Sequence, residues 1–174
     1  MPLIFQYGSN CDLTRFQGRL RERVDDIGRA ETTADYDIAF DVWSQGNGCA
    51  ASDLVETPGR RAHGVLYRIS DVDFERLKRI EGDHYEPRPI SVRNQVGEEV
   101  EATTFLVVPN DRRQGLWTSA DYVGYIVRGL RTHDVPEAYV QHVIDVAIDT
   151  NRRATDSRNA EEENRKIDLL RTPP

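Results

Sequence analysis

Leu3-Ile4-Phe5 opens the chain as a short apolar run that passes directly into Gln6-Tyr7-Gly8-Ser9-Asn10. The apolar period then changes. Leu13, Phe16 and Leu20 recur at spacings of three and four, which marks one face of a helix. The pattern predicts a strand, a tight glycine turn and a helix start, with Asn10 or Asp12 as N-cap. A helix start presents unpaired backbone N–H groups and the positive end of a dipole, a seat for a carboxylate or oxyanion. Gly8 either takes a positive φ or lets a ligand approach the backbone closely.

Residues 21–34 are charged and read as a connector. Residues 36–43 alternate as a strand, the glycine-containing stretch 44–48 is a loop, and residues 49–55 form the return strand. Thr57-Pro58-Gly59-Arg60 is a turn, and residues 62–69 are a further strand. Ser70-Asp71-Val72-Asp73 resembles a helix start. Phe74, Leu77 and Glu81 then share one helix face, and Gly82 stops it. Residues 89–93 and 100–108 are two strands joined by a turn at Gly97, followed by an exposed loop over 109–115.

Two helices come next. Tyr122, Ile126 and Leu130 line the first, and Tyr139, Val143 and Val146 the second. Pro136 sits in the first turn of the second helix, which Asp134 and Glu137 can cap. From Asn151 the chain is polar apart from Ile167, Leu169 and Leu170, and is either a surface helix or a loose tail. The expected organisation is one domain over 1–150 and a charged segment over 151–174. Short, hairpin-linked strands predict an α+β domain in which a strongly curved or barrel-like sheet is flanked by helices.

Composition narrows the partners. Lys and Arg number 23 against 30 Asp and Glu, a formal charge of −7. This argues against nucleic acid and against an anionic membrane surface. No apolar run reaches transmembrane length and no signal peptide is expected, so the chain reads as soluble and cytoplasmic. Cys11 and Cys49 lie far apart, and His63, His84, His133 and His142 lack metal-ligand spacing, so no metal is expected. No phosphate loop, dinucleotide fingerprint or hydrolase elbow appears around any serine, and no cofactor is expected.

Glu81 is the ionisable residue best placed for chemistry. It lies on the inward face of its helix, at the C-terminal end. Burial and the helix C-terminus both raise a carboxyl's pKa, toward the range useful to a general base. Tyr7, Tyr85 and Tyr122 can line a pocket by stacking and hydroxyl hydrogen bonds, or belong to the core. Asp83, His84 and Glu86 read as a solvated turn, and Asp111-Arg112-Arg113 as a solvated loop.

Four segments in order carry a resemblance. Tyr7-Gly8-Ser9-Asn10 after an N-terminal strand is similar to the signature of the γ-glutamylcyclotransferase superfamily, which includes AIG2-like proteins. The glycine-containing stretch 46–59 with Gly64-Val65-Leu66-Tyr67 resembles it as well. So do Leu77-Lys78-Arg79-Ile80-Glu81-Gly82 with Tyr85, and Val135-Pro136-Glu137-Ala138-Tyr139. The resemblance runs to about Asp149.

It implies a cyclotransferase-like, mixed, barrel-like β-sheet with flanking helices. It further implies Glu81 as the catalytic acid/base, a substrate loop of Tyr7, Gly8, Ser9, Asn10 and Cys11, and pocket tyrosines at Tyr85 and Tyr122. Cys11 stands where the family has Leu or Met, and Phe105 where some members carry a tyrosine. The implied reaction closes a γ-glutamyl amide or amine adduct to 5-oxoproline and releases the amine, without metal or cofactor. The implied partner is a small γ-glutamyl molecule. A non-catalytic module that binds a small metabolite on the same fold is the alternative. The sequence does not name the released amine, the pathway or the oligomeric state.

Overall fold

A computed structural model describes residues 1–174. β1 (Leu3–Gln6), β5 (His63–Arg68), β2 (Asp25–Thr32), β6 (Tyr85–Asn94) and β7 (Glu99–Val107) hydrogen-bond in that order, and β7 returns to β1 to close a barrel. The closing pair is parallel, with Ile4 opposite Thr103, while the other pairs are antiparallel. β3 (Tyr36–Ser44) and β4 (Cys49–Glu56) form a separate hairpin. The expected α+β, barrel-like architecture is thus present.

Alternation along the strands separates two cores. Ile4, Val65 and Tyr67 face the larger one, which contains the helices. Phe5, Ala30, Leu66, Ile90, Val92 and Ala102 meet in a smaller one. All five barrel strands contribute to the smaller core, as the filling of a small closed barrel requires.

Two expectations about strands are corrected. Residues 25–32 are a full barrel strand and no connector. Only Ala30 and Thr32 are buried along it, because a narrow barrel takes few side chains from each strand, so the apolar signal was weak. β6 begins at Tyr85 instead of residue 89. It carries Pro87 and Pro89 where it pairs with β7 alone. Its second partner, β2, joins only from Val92 to Asn94, so neither proline breaks a ladder bond on that side.

The helices are α1 (Leu13–Arg19), α2 (Asp71–Glu81), α3 (Ala120–Thr132), α4 (Glu137–Arg152) and α5 (Ser157–Asp168). A 3-10 turn, Ser9–Cys11, separates β1 from α1. Of the two proposed caps, Asp12 serves: its Oδ1 accepts from Arg15 N at 2.9 Å. The expected caps of α4 are absent. Pro136 itself is the N-cap residue, no side chain caps it, and Asp134 takes a left-handed φ of 54°.

Beyond the end of α4 at Arg152 the chain forms α5 and a final 3-10 turn, Leu169–Arg171, with Ile167 buried in the larger core and Ala160 also buried on the same helix. The loop after β7 is tied down as well. Arg112 Nε donates to fully buried Asp53 at 2.7 Å, and Arg113 N donates to Asp41 O at 2.6 Å. No helix is long and apolar enough to cross a membrane.

Candidate active site

The turn after β1 is fixed from two sides. On one side α3 presses against it at Gly129, where an added Cβ would lie 2.2 Å from Cys11 C. On the other, an added Cβ at Gly8 would lie 2.2 Å from Ser52 Oγ of β4. Gly8 has φ −103°, so its glycine serves close approach and the positive-φ alternative falls away. Within the turn Cys11 N donates to Gly8 O and Asp12 N to Ser9 O. The N–H groups of Gly8, Ser9 and Asn10 have no partner in the chain.

α2 delivers Glu81 to this turn. Ser70 Oγ caps the helix by accepting from Asp73 N at 3.2 Å. Asp73, almost fully buried, accepts from Arg21 N at 3.0 Å and Glu22 N at 2.8 Å, and Arg76 Nε donates to Arg19 O at 2.7 Å. The start of α2 is thereby tied to the end of α1. At the other end Gly82 N closes the helix on Lys78 O.

The Glu81 carboxylate accepts from Asn10 Nδ2 at 3.1 Å and stands 3.8 Å from Arg19 Nη1. Burial pushes its pKa above the ordinary carboxylate range, while Arg19, Asn10 and Arg15 pull the other way.

These groups line a cleft of about 470 Å³. Tyr7, Gly8, Ser9 and Asn10 form one wall, and Tyr85, Tyr122 and Phe105 also reach it. Every tyrosine hydroxyl there has a protein partner. Tyr7 Oη donates to Phe105 O at 2.5 Å and Tyr85 Oη donates to Ser52 O at 2.7 Å. Tyr122 Oη accepts from Ser52 N at 3.0 Å and lies 3.0 Å from Ser52 Oγ. Burial raises all three phenols, so they stay neutral.

Cys11 is the exception among the predicted site residues. It does not line the cleft. Its thiol is buried in the larger core and donates to Gln6 O at 3.1 Å, because the 3-10 turn rotates residue 11 inward beneath α3.

Among the cleft residues that sequence reasoning missed, Arg15, Arg19 and Ser52 bear most on the site. Arg15 and Arg19 enter from α1, and their spacing of four, just past the glycine turn, was the available signal. Ser52 touches Tyr85, Tyr122 and the position of a Gly8 side chain at once. It lies in an ordinary small-residue strand, and nothing in the sequence marks it. The arrangement can hold an anion on free N–H groups and place a carboxylate base beside it.

Comparison with known proteins agrees with the fold. Residues 61–143 match the AIG2-like family. The fold is shared with a solved γ-glutamyl cyclotransferase at a TM-score of 0.75 and 19% identity, over 95% of this chain and 98% of that one. An uncharacterized protein of Homo sapiens also gives a TM-score of 0.75, at 20% identity over 98% of each chain. YkqA from Bacillus subtilis gives 0.63 at 25% identity, over 82% of this chain and 54% of that one. No curated protein sequence matches. The resemblance read from the four sequence segments is borne out.

Proposed function

We propose that this chain, built on the γ-glutamylcyclotransferase fold, cyclises a γ-glutamyl amide to 5-oxoproline and releases the amine. The observation that carries the reading is the Glu81 carboxylate, held by Asn10 beside a turn with three unpartnered N–H groups. The substrate's α-amine arrives protonated. Glu81 takes that proton, and the freed nitrogen attacks the γ-carbonyl carbon to form the ring C–N bond. The carbonyl oxygen gains charge, which the N–H groups of Gly8, Ser9 and Asn10 stabilise. Collapse breaks the original amide bond as Glu81 returns the proton to the leaving nitrogen. The ring nitrogen, which carries two hydrogens after attack, passes its extra proton through the same carboxylate to the released amine, which departs as an ammonium. Atoms and protons balance with no further reactant. The walls of the cleft hold the substrate folded near attack geometry.

The test is mass-spectrometric detection of 5-oxoproline from a panel of γ-glutamyl amino acids and amines, with native protein and Glu81→Gln. Native protein is expected to release it. The variant, still folded, is expected to lose at least about a hundredfold in rate, the lower range for a general base. Full activity in the variant refutes the role of Glu81. A compound bound tightly and recovered unchanged points to the binding-module alternative.

A further inference from the structure

Arg15 stands out among the charges of the cleft because it has no anion. Arg19 faces Glu81, and Arg128, on the neighbouring face, is engaged by Asp12 at 2.6 Å. Arg15 makes no ion pair with any carboxylate of the chain. Its Nη2 donates to the neutral Asn47 Oδ1 at 2.8 Å, and its Nε is buried with no partner. The guanidinium lies over the Tyr125 ring, 4.3 Å from its centroid. A partly buried cation with an unused N–H is unfavourable unless something pairs with it. Arg15 lines the same cleft as Glu81, on the side of the 44–48 hairpin loop. Burial and the neighbouring Arg19 lower its pKa, with Tyr122 and Tyr125 opposing.

On the cyclotransferase reading the turn N–H groups and Glu81 take the reacting carbonyl and α-amine of the γ-glutamyl half. Resting on the cyclotransferase reading, we infer that Arg15 binds a carboxylate on the departing amine. Arg15 thereby makes the enzyme selective for γ-glutamyl adducts of amino acids over those of uncharged amines. It acts as a specificity-determining residue. The planar fork suits a carboxylate, and the cation–π contact with Tyr125 and the bond to Asn47 hold the side chain in place.

The experiment compares kcat/KM for γ-glutamylalanine and γ-glutamylethylamide, which differ only by that carboxylate. Native protein is expected to favour the alanine compound by about tenfold or more, the scale of one charged hydrogen bond. Arg15→Gln should bring the ratio toward one, and Arg15→Lys should restore part of it. Equal use of both compounds by native protein overturns the inference and leaves the reaction class standing. So does an Arg15→Gln variant that loses both activities in equal proportion, since Arg15 then serves the shared γ-glutamyl half or the fold. Absence of 5-oxoproline from both compounds overturns the cyclotransferase reading and this inference with it.

Discussion

Gly8→Ala tests how the turn and the hairpin are locked together. The new Cβ would sit 2.2 Å from Ser52 Oγ, 3.5 Å from Ser52 Cβ and 3.6 Å from Tyr122 Oη. Only the hydroxyl oxygen is in collision, and the other two distances are ordinary contacts. Backbone strain is small because φ is negative, so the cost is local overpacking. Ser52 must turn its hydroxyl away, which breaks the bond to Tyr122 and leaves a buried polar group poorly paired. Overpacking of about 1–3 kcal/mol and a lost bond of about 1 kcal/mol give an expected loss of about 2–4 kcal/mol.

Ser52→Ala removes the colliding atom while keeping the tolerated Cβ. It costs about 1 kcal/mol alone, for the same hydrogen bond. In the double variant the methyl introduced at position 8 occupies the space of the missing oxygen. Urea unfolding of the four proteins is therefore expected to give a coupling of at least about 1 kcal/mol in the rescuing direction. Strict additivity, or a harmless Gly8→Ala, would refute the claim that close approach to Ser52 is what requires glycine here.

Two further predictions concern charge. Arg19 holds the Glu81 pKa down, so Arg19→Gln should move the acid limb of the kcat/KM profile to higher pH, read from rates between about pH 4 and 8; an unmoved limb refutes the pairing. Asp41 is raised from 3.8 to about 6 by burial and by Asp53, with Arg112 opposing. Between those values the folded chain keeps a proton that the unfolded chain releases, so native stability falls as pH rises through this window. Asp41→Asn removes the effect. Its stability relative to native protein should improve by about 1–2 kcal/mol from pH 4 to 7, after a discount for partial exposure, as read by urea unfolding at each pH; a flat difference would show that Asp41 does not carry the shift.

The chain's own order determined a good deal. The switch of apolar period at Asn10, the face shared by Phe74, Leu77 and Glu81, and the stop at Gly82 are local properties of backbone and side-chain spacing. They marked the turn and the inward-facing carboxylate separately, and only the family resemblance joined the two into one site. Strand β2 was hidden because its partners, and not its own side chains, make it a strand: two ladders hold it while most of its residues stay partly or fully exposed.

Which residues meet was decided by tertiary structure. Spacing on α1 gives Arg15 and Arg19 one face, but only the docking of α2 through Asp73 brings Glu81 opposite Arg19 and leaves Arg15 without an anion. Cys11 is adjacent to the site residues in sequence, yet it is turned into the core by one 3-10 step under Gly129. Ser52 is remote in sequence and becomes the point where turn, Tyr85 and Tyr122 converge. Local spacing specifies which face a side chain occupies. What stands across from it depends on barrel closure and helix docking, which sum weak contacts from distant parts of the chain.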